Sequence, residues 1–475
     1  MKNKVFLLSF LIFLFAIALR SFHLNRYLSF HQDQVRDLYY LKEYFDNGKL
    51  ILLGPKASVG DFYLPPFWYY LMGIAYFFSQ SPLAPAFLIA VFGSLTAVFI
   101  FLFAKKFLDK KVAFLTGILY AVSPLAIEYS RFAWNPNPIP FFVILTFLFL
   151  YEFLYENKKN RFVLSTITAN LALQLHYQGL IIFSFYFLIL LLSKKLNLKR
   201  FIIYLLINFI LILPFVIFEF GNSFQNSRGI INFLLNSQVK TSLKLFGIPF
   251  FIKFIINNFP SFLAKTIFFK NLILGYFFLF FLLIILARFL LRSRQMGKFD
   301  KVFKLTSSFL IFSFIMLYFY KNSLIDFYLL FLIPVIIIYL VINLKIFFHE
   351  KLLTWLLFIL ILANLLKSPA FGHYDKTFIW LQESTKIISR KNNYCIIYSI
   401  FPENFIEKKF RYMISLAKNK PVYDYCPHIA VSCDPKIKTV YYICEEAICK
   451  IPIKIGKITQ INPLDYGIKI YEINL

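Results

Sequence analysis

The sequence predicts an all-α polytopic membrane protein of about 11 transmembrane helices, followed by a small extracytoplasmic α/β domain. Three observations predict it. Of 475 residues, 60% are hydrophobic and only 16% charged, with mean hydropathy +0.69. Apolar runs of roughly 15 to 22 residues alternate with short loops rich in Lys and Arg, the lengths that helices need to cross a bilayer. The last hundred or so residues change texture and hold every cysteine. Backbone in lipid must satisfy its own hydrogen bonds, which leaves helices or closed barrels, and these runs lack the alternation of barrel strands.

The first apolar run, "VFLLSFLIFLFAIAL" after "MKNK", resembles a signal peptide in length. Arg20, Phe22 and His23 follow it in place of a small-residue cleavage site, so it reads as a retained span entering from the cytoplasm. The spans then run 5–22, 83–104, 112–127, 139–155, 162–176, 179–193, 201–219, 271–287, 305–320, 324–344 and 352–366. An odd number places the carboxyl end outside. The net charge of +28 comes from groups such as "KKFLDKK" (105–111), "NKKNR" (157–161) and "KKLNLKR" (194–200). Scattered between spans, they fit positive-inside bias better than a nucleic-acid surface.

"PFWYYLMGIAYFF" (66–78) is left out of the count. As a helix it would reach about 20 Å, short of a hydrocarbon core of about 30 Å, and prolines flank it. An aromatic-rich interfacial helix is the expectation. Residues 23–82 then form one long external loop within a transmembrane domain at 1–371.

Residues 372–475 read as the α/β domain: "DKTFIWLQESTKIISR" is amphipathic, and "YCIIYSI", "TVYYICE" and "IKIYEIN" have strand character. Cys395, Cys426, Cys433, Cys444 and Cys449 all fall here. Thiols confined to one segment suggest an oxidising compartment in which some pair and an odd one stays free. Spacing allows Cys426 with Cys433 and Cys444 with Cys449 without fixing the connectivity.

Charge near a bilayer is costly, so the polar residues at the outer ends of spans are the candidates for chemistry. "HQDQVRD" supplies His31, Asp33, Arg36 and Asp37; "LLGPKASVGDFYLPPFWYY" supplies Lys56 and Tyr63. "SPLAIEYSRFAWNPNPIPF" carries Arg131, Asn135 and Asn137, and "LQLHYQG" carries Gln174, His176 and Tyr177. Glu219 opens the next patch, "FEFGNSFQNSRG". Each has a bland counterpart: a solvated Asp, an ion pair with Arg36, an Asn-Pro turn that stops one helix and caps the next, a satisfied interfacial histidine.

In this order the elements "DQVRD", "LLGPKASVGDFYLPPFWYY", "AVSPLAIEYSRFAWNPNPIPFF" and "LALQLHYQG" resemble bacterial membrane glycosyltransferases of the GT-C superfamily. The likeness is to the protein O-mannosyltransferase and aminoarabinose transferase type, glycosyltransferase family 39 or 83-like, over roughly residues 5–230. The resemblance implies a hexosyl- or pentosyltransferase whose donor is a sugar on a polyprenyl phosphate, with an acidic residue in the first external loop. Asp33 is the best match to that acid. Many relatives follow the Asp with Glu, whereas Gln34 stands here, and Asn135 and Asn137 stand where several relatives carry a second Asp.

Moving a sugar from lipid phosphate to a hydroxyl needs a base for the acceptor proton and positive charge for the departing phosphate. Asp33 is the expected base, and Arg36, Lys56 and Arg131 the expected cations. A divalent metal shared by His31, Asp33 or His176 is a further expectation. The partners implied are membrane lipids, the lipid-linked donor, and a glycan, lipid or protein acceptor; the cofactor remains unknown. A flippase or transporter, or a lipid-linked oligosaccharide polymerase or ligase, is the alternative. Transporters favour midplane charges and internal repeats, and neither is evident here.

Overall fold

The computed structural model describes residues 2–48, 50–57, 60–236, 248–291, 297–319, 324–372, 376–399, 406–422, 437–445, 457–461 and 468–474. In chain order the helices are α1 (Lys2–Ser21), α2 (Gln32–Asn47), α3 (Phe67–Phe78), α4 (Leu83–Ala104), α5 (Lys110–Ala121), α6 (Pro124–Glu128), α7 (Ile139–Tyr155), α8 (Arg161–Leu175), α9 (Gly179–Leu192) and α10 (Leu198–Gly221). There follow α11 (Gln225–Asn236), α12 (Ile248–Lys253), α13 (Phe259–Ile267), α14 (Leu272–Leu291), α15 (Lys298–Tyr318), α16 (Ile333–Phe347) and α17 (Glu350–Leu366). Helices α18 (Thr377–Ile388) and α19 (Ile406–Ser415) join strands β1 (Tyr394–Ser399), β2 (Thr439–Glu445), β3 (Lys457–Gln460) and β4 (Ile468–Asn474).

The chain divides into two units. The first holds residues 1–22, 50–74 and 86–372; the second holds 23–49, 75–85 and 373–475. Among the described residues six helices, or seven with one bent pair, are long and apolar enough to cross a membrane. The count of about 11 is not confirmed. Four of the expected spans coincide with α5, α7, α8 and α9, helices of 12, 17, 15 and 14 residues, which at 1.5 Å per residue reach only about 18 to 26 Å. The bent pair, 251–267 with 272–286, turns through 106°. Phe269 and Lys270 make that turn in left-handed backbone, while Asn364 receives the Phe269 N–H at 2.8 Å and donates to the Ile267 carbonyl at 2.7 Å.

Burial ranks the long helices. The segment Asp326–Phe347, which contains α16, is 83% buried and forms the centre of the unit; α10 is only 6% buried and presents its apolar surface outward. Where side chains are as apolar as lipid, hydrogen bonds between helices add specificity. Thr146 on α7 donates to Thr168 on α8 at 2.9 Å, Thr166 meets Tyr186 on α9 at 2.7 Å, and Asn170 on α8 donates to Asn208 on α10 at 2.7 Å. Gly179 allows the α8–α9 hairpin to close, since a Cβ there would lie 2.0 Å from the Ala172 carbonyl oxygen.

At the ends of α7 and α8 the lysine-rich loops are tied down by carboxylates. The Glu152 side chain, 7% exposed, pairs with Lys106 at 2.6 Å, Lys158 at 2.9 Å and Arg161 at 2.6 Å, and Glu156 pairs with the same two lysines. These loops are thus positive in sum yet locally neutralised.

In the second unit the three strands read from the sequence are present, with β3 and α19 in addition. The sheet order is β1-β2-β4-β3, with β1 and β2 parallel and the other pairings antiparallel. Its core includes Cys395, Ile397, Val440, Tyr442, Cys444 and Ile473. The segment after α1 is not irregular loop: α2 buries Gln34, Val35, Asp37, Leu38 and Leu41 and ends at Gly48 in left-handed backbone. Tyr39 packs edge-on to Tyr412 of α19, and Phe30 to Phe378 of α18. Cys395 and Cys444 are both disulfide-bonded. They are not each other's partners, because the register sets Cys395 opposite Val440 and Cys444 opposite Ser399, too far apart for a bridge. Cys395, absent from the pairings that spacing suggested, is therefore not the free thiol; Cys426, Cys433 and Cys449 lie outside the described residues.

Removing Glu152 should leave Arg161 without that carboxylate and Lys106 and Lys158 sharing Glu156 alone. Glu152→Ala is expected to cost about 2 to 3 kcal/mol, below the range for a fully buried pair because Lys158 is partly solvated and Glu156 remains. Thermal unfolding in detergent checks this, with Glu156→Ala expected to cost less.

Candidate functional site

In the first unit, the loop between α6 and α7 is fixed by its own polar side chains. Ser123 caps α6, and the two Asn-Pro steps turn the chain into α7. Arg131, buried, donates through Nη1 to the carbonyls of Leu19 and Arg20 at 3.1 Å and through Nη2 to that of Phe22 at 2.8 Å. These are the orphan carbonyls at the end of α1, where a cation also meets the negative end of the helix dipole. Asn135 donates to the Leu175 carbonyl at 2.7 Å and so ties this loop to the end of α8; Asn137 donates to the Phe132 carbonyl at 2.9 Å.

His176, at the α8–α9 turn, lies among Tyr177, Phe327 and Tyr328, with Trp134 stacked obliquely on Phe327 at 4.7 Å. Its Nδ1 accepts the Gln178 N–H at 3.3 Å. Desolvation among these rings lowers the imidazole pKa to about 4. Gln174 is turned elsewhere: it donates to Asn170 at 2.7 Å and to the Leu211 carbonyl at 3.1 Å, within the polar ladder between α8 and α10.

A second cluster joins the 54–64 segment to the α10–α11 corner. Lys56 pairs with Asp61 at 2.6 Å and lies over the Tyr63 ring. Asn226 reads the Tyr63 backbone in both directions, accepting its N–H at 2.5 Å and donating to its carbonyl at 3.2 Å. Tyr177 donates to the same carbonyl at 3.4 Å. Glu219, buried, accepts the N–H groups of Asn226 and Ser227 at 3.0 and 2.9 Å and the Ser227 hydroxyl, which caps α11. Lys56, Tyr63, Tyr177 and Glu219 are thus brought together, and Asn135 reaches the turn that carries His176, while Arg131 is held at the end of α1.

Asp33, Arg36, Asp37 and His31 belong to the second unit. Arg36 bridges the two acids, at 2.9 Å to Asp33 and 2.7 Å to Asp37. The Asp33 side chain is 40% exposed and Asp37 wholly buried, so only the first is open to a substrate. His31 Nε2 lies 2.7 Å from the Ser29 hydroxyl. Among the described residues no group of three or more His, Cys, Asp or Glu side chains could hold a metal ion. The donor set among these residues does not fit the divalent metal expected from sequence.

Sequence reasoning missed a charged group beside the aromatic rings. Lys265 of α13 pairs with Asp326 at 2.6 Å, and both act electrostatically on Glu128 together with Lys270. Desolvation raises the Glu128 pKa, ahead of the lowering by Lys270. Glu128 stood inside a quoted motif, but Lys265 and Asp326 are 61 residues apart and nothing local marks them as partners.

Residues 64–218 match the family model of dolichyl-phosphate-mannose-protein mannosyltransferases. Among curated proteins, an uncharacterised protein of Aquifex aeolicus is 29% identical over 110 residues, 23% of this chain; the match spans 22% of that relative's length. The structure is similar to that of ArnT from Cupriavidus metallidurans bound to undecaprenyl phosphate, with TM-score 0.59 and 9% identity, covering 100% of this chain and 98% of that one. It is also similar to the oligosaccharyltransferase of Archaeoglobus fulgidus in complex with Zn and sulfate, with TM-score 0.50 and 16% identity over 92% of this chain and 67% of that one. The family match is confined to residues 64–218, and the likeness to the two solved structures, at 9 and 16% identity, is one of fold.

The His176 environment makes a pH prediction. A histidine held neutral when folded, but free to bind a proton near pH 6.5 when unfolded, stabilises the fold above that pH. The contribution is lost as pH falls from 6.5 toward 4. Because the ring keeps some solvent contact, the loss should be about 1 to 3 kcal/mol, less than the full shift implies. Melting temperature against pH should show this slope, and His176→Gln should flatten it.

Proposed function

We propose that the protein is a membrane glycosyltransferase that moves a hexosyl or pentosyl group from a polyprenyl-phosphate donor to an acceptor hydroxyl on the extracytoplasmic side. The observation that carries this reading is the conjunction of the family match at 64–218 with a likeness to ArnT over the whole chain. That ArnT structure holds undecaprenyl phosphate, which favours a lipid-phosphate donor here.

In the proposed reaction the acceptor oxygen bonds to the anomeric carbon as the bond from that carbon to the phosphate oxygen breaks. The acceptor proton passes to Asp33, and the lipid phosphate leaves with the electron pair. Asp33 lies outside the family match, and its candidacy rests on the first-loop motif, its partial exposure and its place in the first turn of α2. Arg36 would orient it. Lys56, exposed beside Tyr63, is a candidate cation for the phosphate. Arg131 is a further candidate and, held on the end of α1, also suits a positioning role with Asn135 and His176. The disulfides of Cys395 and Cys444 favour an oxidising, extracytoplasmic setting for the second unit.

Incubating the purified protein with a panel of polyprenyl-phosphate sugars should release polyprenyl phosphate from one of them; no release from any donor overturns the reading. With that donor, Asp33→Asn should lower kcat by roughly 10² to 10⁴, the range for a lost general base. Near-normal turnover would remove Asp33 from the role. Asp37→Asn, at a buried site, should instead show mainly as lower thermal stability.

For topology, a membrane-impermeant thiol reagent applied to intact cells after reduction should label the carboxyl-terminal cysteines. Labelling only after the membrane is broken would place that unit on the other side.

A further inference from the structure

We propose that an open cleft between the 60–62 turn and α11 is a saccharide-binding subsite for the headgroup of a membrane-anchored glycan, the acceptor of the reaction above. The proposal rests on the glycosyltransferase reading and names its acceptor class. The cleft has a volume of about 640 Å³ and is lined by Asp61, Asn222, Gln225, Arg228, Asn232 and Phe233, with glycines on both walls. That volume lies within the usual range for small-molecule sites.

Its chemistry selects among ligands. Three carboxamides both donate and accept, which suits the paired donor and acceptor character of sugar hydroxyls. Asp61 is shared with Lys56 at 2.6 Å, and Arg228 adds a guanidinium that can donate to sugar hydroxyls. The lining offers a single large apolar side chain, Phe233, packed edge-on to Phe62 at 5.5 Å, too little for the anchors of a peptide.

The walls are built to hold their shape. A Cβ on Gly229 would lie 2.1 Å from the Asp61 carbonyl oxygen, so α11 touches the turn directly, and Gly60 takes left-handed backbone at φ 79°. Asn226 clasps Tyr63 on one side, and Glu219 caps α11 on the other.

Two placements argue for a lipid-anchored glycan. The cleft begins at Asn222, one residue beyond the end of α10, the least buried of the candidate spans. On α11 the apolar Ile231 and Leu235 are 54% and 64% exposed beside Asn232, as a helix resting on a lipid surface would have them.

The test uses the full chain in membranes of its own host. A benzophenone amino acid is placed at Asn232, at Gln225 in a second protein in case the first folds poorly, and at the outward-facing Leu205 of α10 as a lipid control. After irradiation, the adduct is assayed for periodate-sensitive carbohydrate and for lipid mass. Carbohydrate together with lipid mass at 225 or 232, and lipid alone at 205, is the expected result. Arg228→Ala should reduce the carbohydrate adduct about tenfold, as loss of a hydrogen bond to a charged group implies.

Carbohydrate without lipid would overturn the membrane anchor. Peptide, or only the phospholipid seen at 205, would overturn the saccharide subsite. None of these readouts needs donor turnover, so a carbohydrate adduct on a protein that releases no polyprenyl phosphate would sink the transferase reading and leave the subsite standing.

Discussion

The membrane unit depends on the way two arginines close the end of α1. A helix that stops near a bilayer leaves carbonyls without partners, and an unsatisfied group is expensive where water is scarce. Arg131 answers three of them, and Arg20, fully buried one turn earlier, donates to the carbonyls of Ala16 and Ala121 and lies over the Tyr120 ring. Space for this comes from Gly93, where a Cβ would fall 2.8 Å from Arg20 Nε and 2.2 Å from the Ser130 hydroxyl. Two guanidinium groups so close repel, and a buried charge is costly; carbonyls that accept from Arg20 Nη1 and from both Nη groups of Arg131 offset part of that cost. From this knot the loop carrying Trp134 and Asn135 leaves in a fixed direction, and through Asn135 it sets the end of α8 and the His176 turn.

Much of the helical architecture was legible because apolar composition acts directly on the free energy of a segment in lipid. The long runs at 83–104, 201–219 and 352–366 each fall on a long apolar helix. Length was the weak point. The sequence around 112–193 is apolar enough to read as four spans, yet α5, α7, α8 and α9 are shorter than a hydrocarbon core, because Asp109, the Asn-Pro steps and the His176 turn take up residues that a full span would need. The segment at 23–82 reads as one external loop because 66–78 is too short to span; the helical spacing of Val35, Leu38 and Leu41 on one face of α2 lies inside it and does not enter a count of spans.

The candidate site divides by the range of its interactions. Residues in local motifs were found, since a turn or a cap leaves its mark within four or five positions. What those residues do was less legible, because it depends on distant partners: Gln174 points to Asn170 and α10, and Glu219 caps the helix that follows it. The Lys265–Asp326 pair bridges 61 residues and has no sequence signature at all. Polar residues near a membrane are therefore strong evidence of constraint, and weaker evidence of which constraint, since the same desolvation cost enforces helix caps and substrate contacts alike.

That ambiguity is resolved by exposure. A polar side chain whose hydrogen bonds are spent on backbone, and which is buried, has a structural task that already accounts for its presence; Asn135 and Glu219 are of this kind. A polar side chain that remains exposed while its backbone is rigidly held is free to meet a ligand at little entropic cost. Gln225 and Asn232, carried on a capped and clasped helix, meet that description, and Asp33 keeps part of its carboxylate exposed in the first turn of α2. On α10 and α11 the buried cap of Glu219 thus sets the orientation of the exposed Gln225 and Asn232.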